Sequence, residues 1–186
     1  GSHWSPWYAY FPWEDWRKGK PEILARDIEP RLRSWAERAP SPDDPVRPLR
    51  RSERLKVCFG SGGGSFDEEK VLERYELLYE AGLVDEARRD GRPSATRWQS
   101  LPEIGRPMAF DHRRILATAM GRLRGKIKYR PVVFELMQPE FTLLDLQKTV
   151  EAISGTLLHK QNFRRLVEQG GLVETTGNVS TETGGR

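Results

Sequence analysis

Apolar positions along this chain recur mostly at the three- and four-residue spacing of a helix face, broken by two short β-branched or aromatic runs. Ile23, Leu24, Ile28, Leu32, Trp35 and Ala36 predict a helix in "KPEILARDIEPRLRSWAERAP", with Pro30 breaking or kinking its middle. A Pro-rich connection, "SPDDPVRPLRRSE", follows, and "RLKVCF" then reads as a short strand. In "FDEEKVLERYELLYEAGLV" the apolar set Val71, Leu72, Tyr75, Leu78 and Tyr79 predicts a helix. Phe66 and Asp67 open it, acids fill its first turn and Gly82 closes it. Residues 85 to 105 are polar and punctuated by glycine and proline, so they read as a loop or linker and as a domain boundary.

Beyond that boundary the pattern sharpens. "FDHRRILATAMGRLRGKI" has Asp111 as expected N-cap, Ile115, Leu116, Ala119, Met120 and Leu123 on one face, and Gly125 near its end. "RPVVFELM" reads as a short strand. "FTLLDLQKTVEAISG" is a helix with Thr142 as cap, Asp145 three residues on as a near capping box, and Gly155 as stop. After a tight turn, "LHKQNFRRLVEQGG" is another helix, ended by Gly170 and Gly171, and "LVETTGNVSTETGGR" carries Thr-Gly-Asn between two β-rich runs, a hairpin signal. Helix, strand, helix, turn, helix and hairpin is the element order of a winged helix-turn-helix.

In such a module the second helix of the helix-turn-helix lies in the major groove, its N-terminal residues against base edges. That turn here holds His159, Lys160, Gln161 and Asn162. Phe163, Leu166 and Val167 face one way, and Lys160, Gln161, Arg164, Arg165 and Glu168 the other. Asn and Gln can bond adenine bidentately, Arg can do so with guanine, and Lys and Arg neutralise phosphates. Thr142 and Lys148 on the preceding helix are further candidate DNA contacts, as are Arg113 and Arg114 upstream and Asn178, Thr181 and Arg186 on the expected wing. The bland alternative is a basic amphipathic helix that only solvates a small domain.

Charge adds weight to the DNA reading. The net charge is a modest +4, but residues 111 to 186 hold 12 basic and 8 acidic residues, so the whole excess lies there. Residues 112 to 134 include Arg113, Arg114, Arg122, Arg124, Lys126, Lys128 and Arg130 without a carboxylate, which suggests a phosphate-facing surface. The single cysteine, Cys58, allows no internal disulfide, and no run is long and apolar enough for a bilayer. A soluble, cytoplasmic protein with no membrane partner and no required cofactor or metal is expected. "WSPWYAYFPWEDWR" packs Trp4, Trp7, Tyr8, Tyr10, Phe11, Trp13 and Trp16 into thirteen residues, too many rings to leave in water, so a core or a partner subunit should cover them. "GSH" at the start reads as a tag remnant, "GSGGGS" at 60 to 65 as a flexible linker or a junction, and "STETGGR" stops before the strand with which a hairpin from Leu172 would pair.

One stretch invites an enzyme reading. "YELLYEAGL" overlaps the end of the Nudix hydrolase signature at Glu76, Leu77, Glu80, Gly82 and Leu83. Tyr75 and Tyr79 stand where an Arg and a metal-binding Glu would be needed, and a phenol is a poor Mg²⁺ ligand. No catalytic residue is therefore assigned.

The segment from "GRPMAFDHRRILATAMGRLRGKI" through "FTLLDLQKTVEAISG" and "NFRRLVEQGG" to "TGGR" resembles the C-terminal domain of Nudix-related transcriptional regulators of NAD metabolism, the NrtR group and especially its NadQ relatives. "WSPWYAYFPWEDWR" and "VLERYELLYEAGLV" are similar to the same group. The resemblance implies an α+β chain, with a partial Nudix-like α/β sensor region over residues 1 to 104 and a winged helix-turn-helix DNA-binding domain over 105 to 186. It further implies a homodimeric repressor on palindromic double-stranded operators of NAD-biosynthesis genes, modulated by an adenine nucleotide such as NAD, ATP or ADP-ribose. The family's DNA-reading turn falls on Lys160, Gln161, Asn162, Arg164 and Arg165, with His159 where the wider group often has a capping Asp. A Nudix-type hydrolase of ADP-ribose or a related dinucleotide, and a winged helix used only for protein assembly, are the alternatives.

Overall fold

A computed structural model describes residues 4–40, 44, 46–60, 66–101, 103–129, 131–171 and 173–177. Among the described residues, seven α-helices carry the fold: α1 (Glu29–Glu37), α2 (Arg51–Phe59), α3 (Val71–Glu80), α4 (Asp85–Arg89), α5 (His112–Tyr129), α6 (Leu143–Ser154) and α7 (Lys160–Gly170). α3 against α5 forms the central contact. α1 and α2 pair on one side, and α6 and α7 follow on the other. Rings from the aromatic N-terminal stretch are driven into the middle: Phe11 and Trp13 are fully buried beside Tyr75, Leu77, Leu78, Ala117 and Met120, while Trp4 stays exposed.

Both expected strands are helical. "RLKVCF" lies in α2, where Leu55, Cys58 and Phe59 at helical spacing are buried, the Glu53 carboxylate accepts from the Arg50 N–H at 2.9 Å, and Gly60 closes the helix at φ 64°. "PVVFEL" is a 3₁₀ helix, Pro131–Leu136, that buries Val133 and packs against α5 and α6. Among the described residues there is no strand, only an isolated bridge between Arg17 and Gly19, so the α/β sensor region expected from the Nudix resemblance is not seen. The local reason is that "RLKVCF" places Leu55, Cys58 and Phe59 at i, i+3 and i+4, which a helix buries as readily as a strand buries alternation, and that the apolar run in "PVVFEL" is too short to carry either period.

The helical run changes type at Pro30. A π-helical turn, Leu24–Ile28, precedes it, and α1 starts with Pro30 in its first turn, where a missing N–H costs nothing. Residues 85 to 105 are more than a polar connection: α4 buries Glu86 and Ala87, and Ala95 and Ile104 join the same core as α3 and α5. Asp111 stands just before α5, and its carbonyl accepts from the Ile115 N–H at 3.0 Å. Its carboxylate takes a 2.5 Å bond from Arg114. On α5 the buried stripe is Arg113, Ala117, Met120 and Arg124, so the helix is turned away from its expected apolar face, and Ile115 is 63% exposed. Gly121 lies in that helix where a Cβ would stand 2.7 Å from the Glu69 carbonyl, so the approach to α3 passes over a residue without a side chain.

Candidate nucleic-acid interface

The helix-turn-helix is built from local signals. Thr142 caps α6 through a full capping box: its hydroxyl accepts from the Asp145 N–H at 3.1 Å, and the Asp145 carboxylate accepts from the Thr142 N–H at 3.1 Å. The Thr142 hydroxyl also donates to that carboxylate, and these bonds hold the Asp145 carboxyl below the ordinary carboxylate range. Leu146 and Ile153 bury the inner face of α6. Gly155 ends it at φ 77°, in the left-handed region that glycine adopts without steric cost.

The turn to α7 spans residues 155 to 159 and is clamped by a pair of side chains one helical turn apart. The Glu151 carboxylate accepts from the Leu158 N–H at 2.9 Å and from the Gln147 amide at 2.8 Å, while that amide also donates to the Leu158 carbonyl at 3.2 Å. Sequence reasoning missed this clamp, although Gln and Glu at i,i+4 just before a helix stop are a visible pattern.

The far end of α6 is held by the rest of the protein. A helix leaves its last carbonyls without intrahelical donors. Here Tyr8 Oη donates to the Ala152 carbonyl at 2.8 Å, Arg124 Nε to Ile153 at 2.9 Å, and the Trp16 N–H to Gly155 at 2.6 Å. Behind them Glu14 sits fully buried. Arg124 reaches its carboxylate at 2.7 Å, and Arg74 grips it at 2.5 and 2.7 Å. The helix that carries α7 is thus pinned to the N-terminal segment, to α3 and to α5 by one ionic node.

α7 itself has no buried residue. Phe163 and Val167 are half-buried and Leu166 is 66% exposed, and all three border an apolar groove of about 510 Å³ shared with α5 and α6. His159, at the N-cap with no side-chain cap bond, and Lys160, Gln161, Asn162, Arg164 and Arg165 are all exposed. Among the described residues none of the three cations has a carboxylate within ion-pair distance. Lys160 and Arg164, one turn apart, line a notch of about 270 Å³ with Gln147 and the N-terminal residues Thr142, Leu143 and Leu144 of the preceding helix. Two unpaired guanidinium or ammonium groups facing a helix start suit a bound anion such as a backbone phosphate. Lys148 is exposed on α6, but Thr142 spends its hydroxyl on the cap.

The basic run upstream divides differently from its expected role. Arg113 is fully buried and donates to Glu86 at 3.1 Å and to the carbonyls of Tyr10 and Ile104, so it cannot reach DNA. Burial lowers its pKa from the ordinary value, against the opposing charge of Glu86. Arg124 serves the Glu14 node. Arg114 bonds Glu76 at 2.6 Å and lies over the Tyr79 ring, and Lys128 pairs with Glu69 at 3.2 Å. Arg122 and Lys126 remain exposed. Arg130, Asn178, Thr181 and Arg186 lie outside the described residues, as do the expected wing beyond residue 177 and residues 61 to 65 of the glycine-rich stretch.

The two carboxylates of the Nudix-like stretch are engaged by arginines: Glu76 by Arg114, and Glu80 by Arg54 at 2.6 Å and Arg47 at 2.7 Å. Burial pushes the Glu80 carboxyl up, but the two guanidinium groups outweigh it and hold it below the ordinary range. Among the described residues no group of three or more His, Cys, Asp or Glu side chains could hold a metal ion, and no helix is long and apolar enough to cross a membrane.

Residues 133–186 match the family model of the NrtR DNA-binding winged helix domain. A relative from Acinetobacter baylyi named ADPR responsive transcriptional repressor NtrR is 39% identical over 82 residues, which make up 44% of this chain and 33% of that protein. The chain therefore spans about a third of the length of the relative it matches.

Proposed function

We propose, on the premise that this chain carries the DNA-binding winged helix domain of the NrtR regulators, that it is a transcriptional repressor of NAD-biosynthesis genes and binds their operators through α7. The observation that carries the reading is the outer arc of α7, where Lys160, Gln161, Asn162, Arg164 and Arg165 are all exposed and the cations have no ion-pair partner among the described residues. Gln161 and Asn162 have the donor and acceptor pattern for adenine, and Arg164 or Arg165 that for guanine. The notch between Lys160, Arg164 and the start of α6 takes a backbone phosphate and fixes the register of α7 in the major groove. Two copies, as a homodimer, set two such helices about one DNA turn apart on a palindrome.

The name of the A. baylyi relative supports a nucleotide effector for this chain as well, one of the adenine nucleotides NAD, ATP and ADP-ribose. An effector that binds the free dimer more tightly than the DNA-bound one shifts the population off the operator and relieves repression. This work belongs to the cytoplasm, where the chromosome and the nucleotide pool meet. The hydrolase alternative is not favoured, because Glu76 and Glu80 are engaged by arginines.

An operator titration over a range of salt tests the proposal. Arg164→Ala with Arg165→Ala should weaken binding by about tenfold or more and lower the slope of log K against log salt by about 2. Equal affinity and slope in the wild-type and doubly substituted proteins would overturn it. Dimers that shift no DNA from a NAD-gene promoter at low salt would favour the protein-assembly alternative.

A further inference from the structure

One carboxylate, Asp44, pairs with Arg51 in a slot that two further arginines line. Arg51 at the start of α2, Arg92 and Arg97 line a slot with Ser94, Trp35 and Asp44. Arg51 pairs with Asp44, lies 4.3 Å over the Trp35 ring, and donates to the carbonyls of Trp35 at 3.1 Å and Arg38 at 3.2 Å. Arg92 is steered by the Tyr79 ring, 5.3 Å from its guanidinium carbon. Among the described residues that line the slot, three are cations and one is a carboxylate.

Its polar groups are also under-used. Ser94 is 8% exposed, and its hydroxyl has no hydrogen-bond partner among the described residues. The buried Arg92 Nε likewise has none. Buried donors without partners are rare in folded proteins and call for an explanation. With Asp44 seated, about 10 Å³ of free space is left, room for at most one water.

We propose that this slot binds a phosphoryl group, and that the carboxylate of Asp44 is its internal stand-in. A phosphoryl dianion offers three terminal oxygens and twice the charge of a carboxylate. It can take the Arg51 Nη2 that now serves Asp44, accept from the Ser94 hydroxyl and from Arg92 Nε, and neutralise Arg97. Asp44 competes for the same position, so the apparent affinity is the intrinsic one reduced by the fraction of molecules in which Asp44 has left. The site ties α1 and α2 to the turn at residues 92 to 97. It does not depend on the DNA-binding reading and would stand if the chain bound no operator.

Calorimetric titration of the full chain, without DNA and at constant ionic strength, tests it with inorganic phosphate in one arm and ribose 5-phosphate in the other. Asp44→Asn removes the competitor and should tighten binding about tenfold. Arg97→Gln, at an exposed position that leaves the core intact, and Ser94→Ala should each weaken it several-fold, to about tenfold for the charged group. Binding of phosphate alone identifies a free-anion site, and binding of both identifies a phosphomonoester site; either supports the proposal. Failure of both ligands to bind the Asp44→Asn protein, or binding that Arg97→Gln and Ser94→Ala leave unchanged, would overturn it.

Discussion

Glu14 and Arg74 form a bidentate ion pair, at 2.5 and 2.7 Å, with neither side chain exposed to solvent. Arg124 completes the node from α5, and its Nε holds the end of α6. Glu14→Gln leaves two buried guanidinium groups without a counter-ion, and breaking a buried pair from one side costs about 3–5 kcal/mol. Urea unfolding should show a loss of that size. A change below about 1 kcal/mol would mean that water reaches the node.

Arg113 and Arg122 lie on the same helix and in the same basic run, yet their substitution should part them sharply. Arg113→Ala leaves Glu86 buried and unpaired, with an expected loss of about 3–5 kcal/mol. The exposed Arg122, replaced by Ala, should stay within about 0.5 kcal/mol of wild type. Thermal melts of the two variants side by side decide this, and similar melting temperatures would contradict the burial of Arg113.

Gly155 has φ 77°, and a Cβ there would stand 2.4 Å from the Glu14 carbonyl oxygen. Gly155→Ala therefore combines backbone strain with a backbone clash, and should cost about 2 kcal/mol or more. Because Trp16 donates to the Gly155 carbonyl, the damage falls on the seat of α6, and operator affinity should fall with stability. Gly171→Ala is the control, since it shares the positive φ without any neighbour within 4 Å.

Glu80 gives the acid limb of stability a definite shape. Its carboxyl is held below the ordinary value of 4.5 in the folded protein. The stabilisation is thus complete above about pH 4.5 and is lost as pH falls through the lower folded value. Glu80→Gln should unfold more readily at pH 7 and lose less stability than wild type between about pH 5 and pH 3. Parallel pH profiles for the two proteins would refute the assignment.

Helices whose signals are local were legible in the sequence. Thr142, Asp145 and Gly155 bound α6 by side-chain and glycine chemistry within one or two turns, and the structure places its ends there. The runs around Val57 and Val132 were not legible, because six residues cannot separate a buried strand from a helix turn. Nor could the basic run be sorted. Arg124 owes its burial to Glu14, 110 positions away in sequence, and only the fold brings the two together. Apolar count also misplaced the buried face of α5, where the two arginines go inward and Ile115 stays out.

The capture of the carbonyls at the end of α6 by Tyr8, Arg124 and Trp16 bears on any attempt to cut out or exchange the α6–α7 unit. A fragment beginning near residue 105 would take Arg124 along and leave its counter-charge behind. A chimera with another N-terminal body would inherit α6 and α7 without their anchor. Transplanting specificity between relatives then means moving the outer arc of α7 alone, residue by residue, onto a body that keeps its own Tyr8, Glu14 and Trp16.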